Sequence, residues 1–444
     1  MNNKMVFRVG GGTFFERIAT ANIGYTTNFF TNLPDVQFSQ AYYGNLSSIA
    51  SSGPTLFPLQ VPLLAKDGHV PTVYNFSAGI QRELPSQILL DISYVGTQSR
   101  HLIEVMPFNA LPYGSAWLPE NQDSTLGAPK FDGTTTLPAN LYRAYPGYAG
   151  GQSSPAFQSL VGIFTFGGSA NYNALQVSAN RRAGYGLQFG ASYTWSKALG
   201  TADQTCGNFG AAGCGHPLDT RHIAYGPLSL DRTQGLTFNY VYDIPTLARV
   251  NSFLDNPFGR QVFGGWQLSG LSSFAVGAPV TISYSLTGIG NAERNRRITG
   301  SEDFAPRVVM TCNPNLSRGD RTILGFINPS CITAPGKGSI GNDSGINNVR
   351  GPGVNNWDVS LFKKFKYSED SQHYIQLRIE AFNVFNHTNW SAFTSAAQIN
   401  FATGQIVNLP SAVGRDGFGA LTTVRAVDTL GGPRIIQLAG KVYF

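Results

Sequence analysis

Charge is what this sequence has least of. Asp, Glu, Lys and Arg make up 13% of its 444 residues, against roughly 25% in soluble domains. The formal net charge of +6 comes from scattered Lys and Arg. No basic run or basic helix is present, which argues against a nucleic-acid partner and leaves a surface near anionic lipid headgroups as the better match. No run of about 18 apolar residues exists, so a membrane-spanning helix is not expected. The opening, MNNKMVFRVGGGTFFER, carries no apolar core or small-residue cleavage site of a secretory signal. There is no nucleophile elbow, no H-E-x-x-H and no P-loop, and no compact set of titratable groups, so neither an enzyme nor a cofactor is expected. Gly10, Gly11 and Gly12 precede aromatics rather than a helix. They read as a bend or a close strand approach, not a phosphate loop.

What is abundant is glycine, 51 residues, with 30 Phe and 19 Tyr. These are arranged in period-two runs, the mark of strands with two unlike faces. The final twelve residues, PRIIQLAGKVYF, put Ile436, Leu438, Gly440, Val442 and Phe444 on one face. Gln437 and Lys441 lie on the other. Earlier strands are predicted over Met5–Phe15, Val73–Leu84, Ile88–Gly96, Tyr172–Arg182 and Leu187–Leu199, then Gly235–Ile244, Trp266–Tyr284, Trp357–Lys366 and Tyr374–Phe385. The clearest alternation is Leu187, Phe189, Ala191, Tyr193 and Trp195 against Gln188, Ser192, Thr194 and Ser196. Its apolar face grows aromatic toward one end, as a belt at a membrane interface does.

About ten strands result, and their connections alternate between short and very long. The long ones cover roughly 16–72, 98–170, 200–230, 286–355 and 386–432. The connection 245–265 is of middle length, with room for a short helix. Short turns on one side and long loops on the other mark an outer-membrane barrel, and a soluble β-sandwich has no reason for that segregation. The expected fold is all-β: an antiparallel transmembrane β-barrel portion in the cell outer membrane, with long extracellular loops.

Four stretches carry a family resemblance. They are GWQLSGLSSFAVGAPVTI at 265–282, NWDVSLFKKF at 356–365, RIEAFNVFNHTNW at 378–390, and NYNALQVSANRR followed by GLQFGASYTWSKAL at 171–199. With the terminal aromatic they resemble the C-terminal half of TonB-dependent outer-membrane transporters, in the Oar-like branch. The resemblance implies uptake of a scarce or large solute, captured by the outer loops. It also implies Phe444 as the signal read by the barrel assembly machinery. A full member of that family has a signal peptide, a TonB box, a plug and 22 strands. The expectation for residues 1–444 is therefore the C-terminal part of a receptor barrel, in which the first three are absent. On that expectation it contacts the TonB complex only through a missing N-terminal part. The sheet is expected to be open, with exposed edges at Met5–Phe15 and Ile435–Phe444. The alternative is an outer-membrane adhesin or structural barrel without energised transport. No residue selects the solute.

Candidate sites are few. Cys206, Cys214, Cys312 and Cys331 fall into two local pairs without any C-x-x-C, which favours two loop disulfides over zinc. His216, Asp219 and His222 gather in HPLDTRH and lack a third strong ligand, so a solvated loop is the simpler reading. Gln376, Arg378 and Glu380, or Asp358 and Lys364, read as structural contacts facing a water-filled lumen, since intramembrane charges must face water or one another. Tyr142, Tyr145 and Tyr148 read as residues folding a loop over itself.

Overall fold

Period-two patterning gives every strand an apolar and a polar face, and the register between strands decides whether those faces align. In the computed structural model they align. It describes residues 5–16, 36–37, 55–56, 63–66, 68–107, 109–144, 162–184, 186–201, 225–246, 256–341, 349–366, 373–427 and 429–444. The wall is formed by β1 (Met5–Phe15), β2 (Thr72–Leu84), β3 (Ile88–Pro107), β4 (Gly162–Gly184), β5 (Leu187–Gly200), β6 (Gln234–Asp243), β7 (Trp266–Ala275), β8 (Val354–Lys366), β9 (Tyr374–Phe382) and β10 (Ile435–Tyr443). Each is antiparallel to the next in chain order. Leu63–Leu64 and Gly226–Pro227 add short pieces to β4 and β5, making twelve strands in the sheet.

One row of partners shows the effect of this register. Phe7, Ile80, Ile92, Val177, Tyr193, Leu236 and Phe274 lie side by side across seven strands. The neighbouring row on the opposite face is Gln81, Asp91, Ser178, Ser192, Thr237, Ser273 and Asn356. A slip of one residue at any pair would interleave the two rows and put carboxylates and amides into lipid. The apolar face is the exposed one: Ile375, Leu377 and Ile379 are 47–49% exposed, whereas Gln376 between them is 5% exposed. This is the polarity of a membrane barrel, apolar outward and polar inward. Aromatics ring the outer face near both ends. Tyr74, Trp195, Phe274 and Trp357 lie toward the long connections, and Tyr242, Trp266 and Phe365 toward the short ones. The ring of Phe76 lies over Gly96, where an added Cβ would come within 2.2 Å of it.

The barrel is not closed. Among the described residues β1 hydrogen-bonds only to β2, and β10 only to β9, as expected for these two edges. The ten main strands also fall where the alternation places them, with three differences. β3 and β4 run on to Pro107 and start at Gly162, well beyond Gly96 and Tyr172. Their paired extension raises a ribbon above the wall. The strand expected over Trp266–Tyr284 stops at Ala275. A Cβ on Gly277 would lie 1.8 Å from the Gly351 carbonyl oxygen, and Pro279, with no N–H to give, begins a two-residue pairing with Val349–Arg350. The strand expected to reach Phe385 stops at Phe382, because Asn383 takes a left-handed turn with φ 48°. The connection 245–265 holds a short helix, α1 (Pro257–Phe263), N-capped by Asn256.

The largest correction concerns the long connections, which the sequence shows only as polar and irregular. The connections after β7 and β9 fold together. Ser283–Thr287 pairs in parallel with Ala396–Asn400. Around that pair Ile282, Tyr284, Leu286, Ile298, Val308, Phe326, Ile327, Ile332, Val349, Phe393, Ile399 and Phe418 form the hydrophobic core. A helix, α2 (Asn291–Thr299), packs on it through Ile298 and the buried Arg294. The chain's apolar core therefore sits above the wall, while the wall turns its apolar side chains outward.

Candidate functional site at the long-loop rim

The E-x-F-N-x-F-N-H segment shapes the rim where strands give way to loops. Asn383 ends β9 and is 3% exposed. Its backbone N–H donates to Asp358 Oδ1 at 2.8 Å. Its side-chain amide donates to the His387 and Gly432 carbonyls, and its Oδ1 accepts from the His387 N–H. Asn389 Oδ1 accepts from the Asn355 N–H at 2.8 Å. Two asparagines thus tie β8, the end of β9 and the approach to β10 into one corner. The motif's role in this geometry is to turn the chain and satisfy buried backbone groups.

Above this corner three connections are bolted together. Asp303 and Arg143 pair through two hydrogen bonds of 2.6 and 3.0 Å, with side chains 8% and 1% exposed. The same arginine donates to the Asn109 carbonyl, and the same carboxylate accepts from the Leu111 N–H. Arg296 of α2 donates to the Gly133 carbonyl and pairs with Glu302. Asp231, buried before β6, accepts from the Ala198 N–H and pairs with Arg350. Cys312 and Cys331 are joined by a disulfide, Cα to Cα 4.9 Å. Cys206 and Cys214 lie outside the described residues, as do His216, Asp219, His222, Tyr145 and Tyr148. Tyr142 is half-buried. Its hydroxyl has no hydrogen-bond partner among the described residues, and burial, with Glu302 nearby, pushes its pKa up to about 12.

The inner-face residues named from the sequence do not pair with one another as ions among the described residues. Arg378 donates to Gln376 Oε1 at 2.7 and 2.9 Å and to the Tyr443 hydroxyl, and its guanidinium lies over Phe362. Asp358 serves the Asn383 N–H. Lys364 sits over the Tyr374 ring, which stacks on Tyr443. The inner face is thus polar and satisfied largely by neutral partners. Phe444 is 99% exposed beyond the last strand. Among the described residues no group of His, Cys, Asp or Glu gathers that could hold a metal ion.

Where the loop core meets the wall there is a cleft of about 650 Å³, within the usual size of a small-molecule site. Tyr193, Leu236 and Phe274 of the outward row form its apolar floor, and Arg318, Arg321 and Trp390 come from the loops. Arg321 donates to the Leu316 carbonyl and lies over Phe326. Sequence reasoning missed this cleft, and it missed the Arg143–Asp303 and Asp231–Arg350 pairs. The available signal was isolated charged residues inside Gly- and Pro-rich loops of a chain otherwise poor in charge.

Solved structures with a similar trace include the outer membrane transporter YddB from Escherichia coli, at 8% identity and TM-score 0.44. The alignment covers 100% of this chain and 39% of that one. The ferric-catecholate import receptor Fiu from E. coli K12 gives 9% identity and TM-score 0.36, covering 100% and 34%. The pyoverdine receptor FpvA from Pseudomonas aeruginosa gives 10% and 0.35, also covering 100% and 34%. The chain therefore spans between a third and two fifths of the length of these transporters. No curated protein matches its sequence. The outer membrane β-barrel domain model matches residues 1–437, and with an antiparallel wall that is apolar outside and polar inside, the chain belongs to that family.

Proposed function

We propose that this chain is the C-terminal part of a TonB-dependent receptor barrel that takes up a scarce or large solute. The observation that carries the reading is the open wall itself. The inner face is mostly polar, and among the described residues both edge strands, Met5–Phe15 and Ile435–Tyr443, keep a free row of backbone groups. In lipid each unsatisfied group costs several kcal/mol, so the wall needs further strands to close it. A barrel wider than ten strands has a lumen that must be filled or left as a channel. The resemblance of RIEAFNVFNHTNW and its companion stretches to TonB-dependent transporters supports a plug there. By the loop-length rule the long connections face outside the cell, where the interlocked loops are placed to meet a solute.

The test is photo-crosslinking in living cells. A photoreactive residue replaces Gln188 or Thr237, both on the inner face. Capture of a plug segment of the same receptor is the expected result. Capture of lipid alone would mean that this face does not line a plugged lumen. Products quenched only by water would indicate an open pore. That outcome favours the alternative, a structural or adhesive barrel, for which the compact fold of the loops is the supporting observation.

A further inference from the structure

We infer that the cleft under the loops binds the anionic phosphate headgroup of a membrane lipid in the outer leaflet. The inference rests on the membrane location of the wall, not on the transport reading.

The floor of the cleft is continuous with the lipid-facing surface. Tyr193, Leu236 and Phe274 are register neighbours on the outward face of β5, β6 and β7. Below them on the same face come Ala191, Phe238 and Ser272, then Phe189, Tyr240 and Gly270. Leu236 is the third residue of β6 and Phe274 the next to last of β7. The floor therefore lies within about 10 Å of the strand ends, at 3.4 Å per residue, where the hydrocarbon layer meets headgroups. An acyl chain lying on Phe238 and Phe189 brings its headgroup to this level.

The roof has the complementary charge. Arg318 and Arg321 line the cleft together with His387, and among the described residues no carboxylate lines it. In the same turn Asp320 accepts from the Ser317 hydroxyl. Arg318 is exposed and, among the described residues, has no hydrogen bond or ion pair. Arg321 spends its Nε–H on the Leu316 carbonyl and its flat face on Phe326, which fixes the guanidinium and leaves its terminal N–H groups. One fixed and one adaptable guanidinium over an apolar floor match an amphipathic anion. Guanidinium forks suit phosphate oxygens in particular. A free anion would gain nothing from the apolar floor, and an uncharged lipid nothing from the arginines.

The full gene product, purified in an uncharged detergent, is titrated by native mass spectrometry with phosphatidylglycerol. Diacylglycerol of the same acyl chains, which has no phosphate, and inorganic phosphate are the comparisons. Retention of phosphatidylglycerol over diacylglycerol is expected. The pair Arg318→Gln with Arg321→Gln should weaken it by about tenfold or more, the loss of at least one of the two charge-assisted contacts. Arg318→Gln alone, at an exposed position outside the loop core, should weaken it by a smaller factor and keeps the test valid if the pair unfolds the loops. Equal retention of the two lipids, no effect of Arg318→Gln, or displacement of the lipid by millimolar inorganic phosphate would each overturn the inference. The last would show a site for the free anion only.

Discussion

Replacing Arg143 by Ala removes two hydrogen bonds to Asp303 and one to the Asn109 carbonyl, all within 3.0 Å. What remains is a carboxylate 8% exposed whose remaining hydrogen bond is from the Leu111 N–H. Breaking a buried pair from one side costs about 3–5 kcal/mol, because the surviving charge has lost its counter-charge and cannot reach water. The pair joins 109–144 to the connection after β7, so the cost falls on the docking of the loops. The wall, held by its own ladder, keeps its stability. Hydrogen exchange over 109–144 should therefore accelerate by roughly two to three and a half orders of magnitude, at tenfold per 1.4 kcal/mol. Exchange over β5 to β9 should stay unchanged. The double variant Arg143→Met with Asp303→Leu buries no charge. It orphans the Leu111 N–H at a cost of about 1–3 kcal/mol, so it should exchange more slowly than Arg143→Ala. Acceleration below tenfold in the single variant, or a double variant as fast as the single, would refute the reasoning.

Phe238→Arg places charge on the outward face in the middle of β6 and should cost about 2–4 kcal/mol near the bilayer midplane; Gln188→Arg, on the inner face, should cost much less by urea unfolding in lipid vesicles. Deleting Phe444 from the gene product should lower the amount of assembled, heat-modifiable barrel in the outer membrane, and unchanged assembly would remove its role as a signal. Mass spectrometry of non-reduced peptides should recover the links Cys206–Cys214 and Cys312–Cys331. The second closes a loop of sequence separation 19, stabilising by about 3 kcal/mol in the chain-entropy model, and four free thiols in protein taken from the membrane would contradict both.

The sequence by itself determined the wall. Side chains alternate strictly along a strand, so Leu187, Phe189, Ala191, Tyr193 and Trp195 had to share a face. Wherever one face meets lipid, register follows from that alternation. The open edges were legible for the same reason, since ten strands could be counted and the first and last named. Where local backbone chemistry competes, the pattern misled: Gly277 and Pro279 cut short a run that reads as strand to Tyr284, and Asn383 stops one that reads as strand to Phe385.

Only the tertiary structure decided what the long connections do. Ser283–Thr287 and Ala396–Asn400 lie more than 100 residues apart and pair in parallel, and neither segment alone carries a signal for the other. Arg143 meets Asp303 across 160 residues and Asp231 meets Arg350 across 119. Such contacts are chosen by which side chains can leave water together once the wall has brought the loop ends side by side. The cleft is of the same kind. Leu236 and Phe274 lie in strands readable from the sequence, but Arg318 and Arg321 belong to a loop whose position over them depends on the whole loop core. Local periodicity is a property of the chain, and it fixed the strands. The site is a property of non-local packing, which no short stretch of this sequence encodes.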